Sequence, residues 1–221
     1  MEKKFKLAPS ILSADFSDLQ SALNICKKGG ADWVHIDVMD NQFVPNLTVG
    51  PLVVKALRNK TEKFLDVHMM VIQPEKLVEP FARAGADSIT FHIEAAEDPA
   101  SIIALIKSCG CKVGLSIKPQ TPLSRIYPFL SEIDIILLMT VEPGFGGQGY
   151  IEGSNDRIRQ VRNYLNENCL TNVLIEVDGG VKLHNASEVI NSGANILVAG
   201  SEVFKSEDPV QTIREFYKLA D

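Results

Sequence analysis

The chain has 221 residues, 45% of them hydrophobic and 23% charged, enough to bury a sizeable core. Its formal net charge of -6 and the lack of any basic run argue against a nucleic-acid partner. No apolar run is long enough to cross a bilayer, and the stretch behind the N-terminal lysines, broken by Lys6, Pro9 and Asp15, reads as a first strand, not a signal peptide.

In chain order, short β-rich runs occupy Lys6–Ile11, Trp33–Met39, Phe64–Met70, Ser88–Glu94, Lys112–Lys118, Ile135–Val141, Leu174–Asp178 and Ile196–Gly200. Amphipathic helical patterns lie between most of them: Phe16–Lys28, Pro74–Ala84, Ala100–Ser108 and Asn155–Asn166. Strand–helix alternation means βα units and a parallel sheet, because a parallel crossover needs a helix-sized connection. A phrase recurs as GGADW, AGADS and SGANI ahead of the second, fourth and eighth runs, each a helix end with a C′ glycine turning into a strand. Eight such units without spare sequence predict α/β architecture, a single-domain (β/α)8 TIM barrel over residues 1–221. An open doubly wound sheet would place a glycine-rich turn after its first strand, where Ser10, Leu12 and Ser13 stand instead.

Parallel barrels carry catalytic groups at the C-terminal ends of their strands. A period of two puts His35, Asp37 and Met39 on one face and Val34, Ile36 and Val38 on the other. The same arithmetic aligns Asp66, His68 and Met70, and Glu176 with Asp178. With helices outside, the polar faces point inward, where charges need partners or a cation. Two imidazoles and two carboxylates converging there make a mixed N/O site for one divalent metal, and zinc, iron, manganese and cobalt all suit such ligands. The plainer reading is a buried His–Asp hydrogen-bond network with no metal. His92 lies near a strand end in parity with Thr90 and Glu94 and reads as a hydrogen-bonded structural residue; His184 reads as surface. Met39, Met70 and Met139 suit a water-excluding lining, whereas Met69 points to the opposite face as core filler.

Glycine-rich turns follow the last three strands: Gly144, Gly146, Gly147 and Gly149 around Phe145, then Gly179-Gly180, then Gly200-Ser201 heading into a helix. Such turns let backbone N–H groups approach an anion, as in the phosphate sites of many TIM barrels. Phe145 suits a mobile lid. Cys26, Cys109, Cys111 and Cys169 form neither a zinc-ribbon nor a C-x-x-C pattern, and are expected to be reduced, mostly buried thiols of a cytoplasmic protein.

Taken together, APSILSADF, HIDVMD-x-x-FVPN, LDVHMM, VEPGFGGQ, IEVDGG and VAGS resemble the ribulose-phosphate 3-epimerase family, in order and over nearly the whole chain. The resemblance implies an isomerase of the pentose phosphate pathway, interconverting D-ribulose 5-phosphate and D-xylulose 5-phosphate by two-base chemistry at carbon 3 through a metal-stabilised enediolate. It carries the metal ligands onto His35, Asp37, His68 and Asp178, and the acid/base pair onto Asp37 and Asp178. Substrate contacts carry over to Ser10, His68, Met39, Met70, Met139 and Asp178, and phosphate loops to Gly144, Phe145, Gly146, Gly147, Gly179, Gly180, Gly200 and Ser201. The family's habit of forming dimers or hexamers implies a homo-oligomer. Asn41, Lys118 and Gly149 depart from the commoner pattern; Asn41 stands where glycine is frequent, and asparagine tolerates the left-handed turn required there. An epimerase for allulose 6-phosphate is the nearest rival. A decarboxylase of the related phosphate-binding barrels is disfavoured, because its D-x-K-x-x-D array is missing.

Overall fold

A computed structural model describes residues 4–219; the outermost residues of the 1–221 domain assignment lie outside it. The described chain runs β1 (Lys6–Ala8), α1 (Leu19–Gly29), β2 (Trp33–Met39), α2 (Pro51–Arg58), β3 (Phe64–Met70), α3 (Val78–Ala84), β4 (Ser88–His92), α4 (Pro99–Ser108), β5 (Lys112–Ile117) and β6 (Ile135–Met139). It continues through α5 (Ser154–Glu167), β7 (Leu174–Asp178), α6 (Leu183–Asn191), β8 (Ile196–Val198), α7 (Ser201–Phe204) and α8 (Pro209–Lys218). The strands are parallel in the order β1-β8-β7-β6-β5-β4-β3-β2. The two ends meet where the Asp32 N–H donates to the Leu7 carbonyl (3.1 Å) and the His35 N–H to the Pro9 carbonyl (3.1 Å), closing the barrel.

Helix boundaries follow local chemistry. Asp18 and Asp98 cap α1 and α4, accepting hydrogen bonds from the Ser21 and Ser101 N–H groups. The helix expected from Pro74 breaks instead into a 3-10 turn, Pro74–Lys76, before α3. Pro80 is the reason: in a helix interior its ring would meet the carbonyl of Lys76, so the helix restarts at Val78 and leaves Pro80 in a first turn, where no N–H is needed. The β5–β6 crossover has no α-helix, only 3-10 turns at Leu123–Arg125 and Tyr127–Glu132. Several strands are shorter than expected; β1 ends at Ala8 because Pro9 cannot donate and Ser10 caps a 3-10 turn.

The recurring phrase has a structural meaning at the bottom of the barrel. Gly30, Gly85 and Gly193 all sit at left-handed φ (83°, 100° and 118°), turning the chain from helix to strand. The next polar residue then pairs with the neighbouring strand. Asp32, Asp87 and Asn195 donate their N–H groups to the carbonyls of Leu7, Leu65 and Ile175. Their side chains accept back from the N–H groups of the same three residues, at 3.0, 2.7 and 3.0 Å. Asp134 repeats the device on Val113 (2.9 Å). Backbone groups that would otherwise end the ladder are thereby satisfied.

Val34, Ile36, Val38, Leu65, Val67 and Met69 face the helices, so Met69 is core filler as expected. The barrel interior is packed from Trp33 stacked on Phe64 (centroids 4.2 Å apart) and Ile135 and Ile196 at its base up to Ala8 and Val198. Inside, Gly114 makes room for Thr90: a Cβ there would lie 1.8 Å from Thr90 Oγ1 and 2.9 Å from its Cα. Gly114→Ala should therefore cost about 1–3 kcal/mol, seen as a lower urea midpoint. Adding Thr90→Ala should restore only part of it, since the Thr90 backbone remains in the way. An unchanged midpoint would contradict this packing.

All four cysteines are free, but only Cys26 is buried; Cys109 and Cys111 are half-buried and Cys169 is exposed, which corrects the expectation of mostly buried thiols. No helix among the described residues is long and apolar enough to cross a membrane. Asn41 adopts the left-handed conformation (φ 58°), so the turn survives the departure from glycine.

Candidate active site

Register brings the polar residues together. Pairing of β2 with β3 sets His35 beside Asp66, Asp37 beside His68 and Met39 beside Met70; pairing of β6 with β7 sets Met139 beside Asp178. His35 is fully buried and its Nδ1 donates to Asp66 Oδ2 (2.6 Å). Its Nε2 therefore points the other way, 3.4 Å from Asp37 Oδ1 and 3.9 Å from Asp178 Oδ2, with no hydrogen-bond partner. His68 Nδ1 completes the group at 3.3 Å from Asp37 Oδ1 and 3.6 Å from Asp178 Oδ2. One donor atom from each of the four residues lies within 4.8 Å of the others. An orphaned buried imidazole nitrogen facing two carboxylates, with a second imidazole alongside, fits a divalent cation.

Support comes from beneath and beside. Asp66 accepts from Ser88 Oγ (2.5 Å) as well as from His35. Glu176 is fully buried, its Oε1 3.5 Å from His35 Nδ1; burial and the neighbouring Asp66 carboxylate push its pKa well up. Ser10 Oγ donates to Asp37 Oδ2 (2.5 Å) from the turn that follows β1.

The two central carboxylates are pulled apart. Burial disfavours the Asp37 charge, but His35 and His68 outweigh it and hold its carboxyl well below the usual range. Burial and repulsion from Asp37 push Asp178 up to about 6, against the pull of the same imidazoles. Burial alone would lower the His35 pKa, yet Asp37 and Asp66 raise it well above its ordinary value. A proton on His35 Nε2 thus stands where a cation would. Metal binding must displace that proton at neutral pH, and the Asp178 proton as well below about pH 6. Apparent affinity should therefore weaken as pH falls from 8, and more steeply below about pH 6, where two protons compete with the metal. Co²⁺ titrations from pH 5 to 8 check this, and a pH-independent affinity contradicts it.

Above the cluster, one cleft is lined by Ser10, Asp37, Met39, Met70, Met139, Gly144, Phe145, Gly146, Gly147, Asp178, Gly179, Gly180, Gly200 and Ser201. His35 and His68 lie fully buried under it. Leu12, Ser13, Val141, Pro143, Gln148, Val181 and Val198 also line it and were missed by the sequence reading. Ser13 could be found only from the fold, since its hydroxyl is 2.9 Å from where a Gly200 Cβ would be. Gln148 carried a signal, its place in VEPGFGGQ; its amide donates to the carbonyls of Glu142 (2.6 Å) and Phe145 (2.9 Å), fixing the loop. Asn46 of FVPN donates to the Gly144 carbonyl (2.9 Å), tying that loop to the one after β2. Phe145 is 55% exposed at its tip. Close backbone approach explains the glycine pair: a Cβ on Gly179 would lie 2.5 Å from Val141 Cγ2, and one on Gly180 2.5 Å from Tyr150 N. His184 is exposed on α6, as expected.

Fold and cluster define a TIM-barrel enzyme with its imidazole–carboxylate site at the C-terminal mouth of the strands. The chain belongs to the ribulose-phosphate 3 epimerase family, whose profile it matches over residues 6–204, and so it is an isomerase. It is 48% identical over 217 residues to the ribulose-phosphate 3-epimerase of Buchnera aphidicola subsp. Schizaphis graminum (98% of this chain, 95% of that protein). It is 47% identical over 210 residues to that of Bacillus subtilis strain 168 (95% and 97%). For the Serratia marcescens protein of that name the identity is 50% over 208 residues (93% and 98%). At the level of fold, it superposes on 3-hexulose-6-phosphate synthase with a TM-score of 0.69 at 20% identity, covering 100% of both chains. KGPDC from Streptococcus mutans gives a TM-score of 0.73 at 13% identity (98% and 97% covered).

Proposed function

We propose that this protein interconverts D-ribulose 5-phosphate and D-xylulose 5-phosphate, using Asp37 and Asp178 as a two-base pair at carbon 3. Inversion beside a carbonyl needs a proton removed from one face and another delivered to the opposite face. In one direction an ionised carboxylate takes the carbon-3 proton and the C–H electron pair moves into a planar enediolate. The other carboxyl, protonated, donates to the far face. The roles reverse for the opposite direction, so composition and charge balance over each turnover. The observation that carries this reading is geometric: Asp37 and Asp178 come from different strands, both line the one cleft, and both face the imidazoles of His35 and His68.

His35, Asp37, His68 and Asp178 would hold one divalent cation, with zinc the first choice and iron, manganese or cobalt the alternatives. When bound, it supplies Lewis-acid stabilisation of the charge that develops on the substrate oxygens. Ser10 orients Asp37 through its hydroxyl. Met39, Met70 and Met139 exclude water from the reacting carbon. The cleft lining includes no Lys or Arg among the described residues, so the phosphate falls to backbone N–H groups of the loops after β6, β7 and β8 and to the hydroxyls of Ser13 and Ser201. The substrate assignment is tested by kcat/KM for ribulose 5-phosphate and allulose 6-phosphate side by side. Preference for the pentose by tenfold or more supports the reading; preference for the hexose overturns it.

A further inference from the structure

We infer that Glu94, acting through His92, fixes His68 in the tautomer whose Nδ1 is free to bind a cation, which makes Glu94 and His92 positioning residues; the inference rests on the metal reading above. His68 uses both ring nitrogens. Nδ1 faces Asp37 and Asp178, and Nε2 lies 2.9 Å from His92 Nε2, with both rings fully buried. His92 Nδ1 lies 3.3 Å from Glu94 Oε2, and Glu94 Oε1 accepts from the Lys118 N–H at 2.8 Å. Phe43 closes over the His92 ring (centroids 4.8 Å apart), and Lys118 Nζ sits 3.9 Å above the Phe43 ring.

Only one proton fits between two imidazole nitrogens at that distance. A neutral His68 that offers Nδ1 to a cation carries its proton on Nε2, so His92 Nε2 must accept and His92 Nδ1 must donate. Its partner must then be an acceptor, and a carboxylate is acceptor-only. Glu94 thus selects the His92 tautomer, and His92 selects that of His68. The arrangement mirrors His35, which meets the cluster through Nε2 because Asp66 holds its Nδ1 proton. The two imidazoles present opposite nitrogens, each determined by a carboxylate outside the cluster.

Glu94→Gln should invert the relay. The amide oxygen stays on the Lys118 N–H, its NH2 faces His92 Nδ1, and every proton shifts one place, leaving His68 Nδ1 protonated. Co²⁺ affinity of the metal-free protein should fall about 10–100-fold. Because Glu94 also anchors the loop after β5, a second pair tests the relay without touching it. His92→Leu should lose affinity similarly, whereas His92→Gln, whose amide oxygen can accept from His68 Nε2–H, should recover to within a few fold. With four histidines in the chain, ¹⁵N NMR of the Zn²⁺-loaded wild type should show His92 protonated at Nδ1 and bare at Nε2. Equal Co²⁺ affinities for wild type, Glu94→Gln and His92→Leu, or a His92 protonated at Nε2, overturn the relay while leaving the metal site standing. A wild type that binds neither Co²⁺ nor Zn²⁺ overturns the metal reading and the relay with it.

Discussion

Asp37→Asn and Asp178→Asn should each abolish net epimerisation, lowering kcat by roughly 10³-fold or more, within the range general acid–base groups supply. The two variants should differ in what survives. If one carboxylate serves each face, the remaining one can still remove and return the carbon-3 proton of a single epimer. In heavy water with saturating metal, one variant should exchange that hydrogen in ribulose 5-phosphate without inversion, and the other in xylulose 5-phosphate. Both residues line the cleft and face the same two imidazoles, so a general loss of structure would not produce opposite preferences. Exchange of both epimers by one variant would place both proton transfers on a single residue and end the two-base account.

Stripping the metal with a chelator should remove activity by about 10³-fold or more, with recovery on adding back Zn²⁺, Co²⁺ or Mn²⁺. Charge that develops beside two carboxylates in a buried site is otherwise unstabilised. The same cation should stabilise the fold, since the four ligands are brought together only in the folded chain; metal at a hundred times its Kd adds about 2.7 kcal/mol. His68→Ala should lose both effects together. Full activity in chelator, with an unshifted melting temperature on metal addition, contradicts the assignment of these residues.

Most of the architecture could be read from the sequence because barrel geometry imposes simple periods. Alternation in WVHIDVM and FLDVHMM separated the inward His35, Asp37 and His68 from the outward Val34, Ile36 and Met69. Glycines after the last three strands marked the cleft because close backbone approach admits nothing larger at Gly179 and Gly180. What was not legible depends on contacts between distant segments. Nothing local says that Asp32, Asp87 and Asn195 each complete a neighbouring strand, or that Asn46 reaches Gly144 across the mouth. The β5–β6 crossover, where no helical pattern was read, does lack an α-helix, and Pro122 and Pro128 are the residues that keep it to 3-10 turns. His92 was readable as hydrogen-bonded, but its link to His68 on one side and Glu94 on the other exists only once β3 and β4 are paired.

The most direct test of the account is proton NMR of ribulose 5-phosphate incubated in heavy water with the metal-loaded protein. The account predicts xylulose 5-phosphate carrying deuterium at carbon 3, because the carboxyl that delivers the new proton equilibrates with solvent between turnovers. Xylulose 5-phosphate that retains the original hydrogen, or bound substrate that neither exchanges nor inverts, would contradict it.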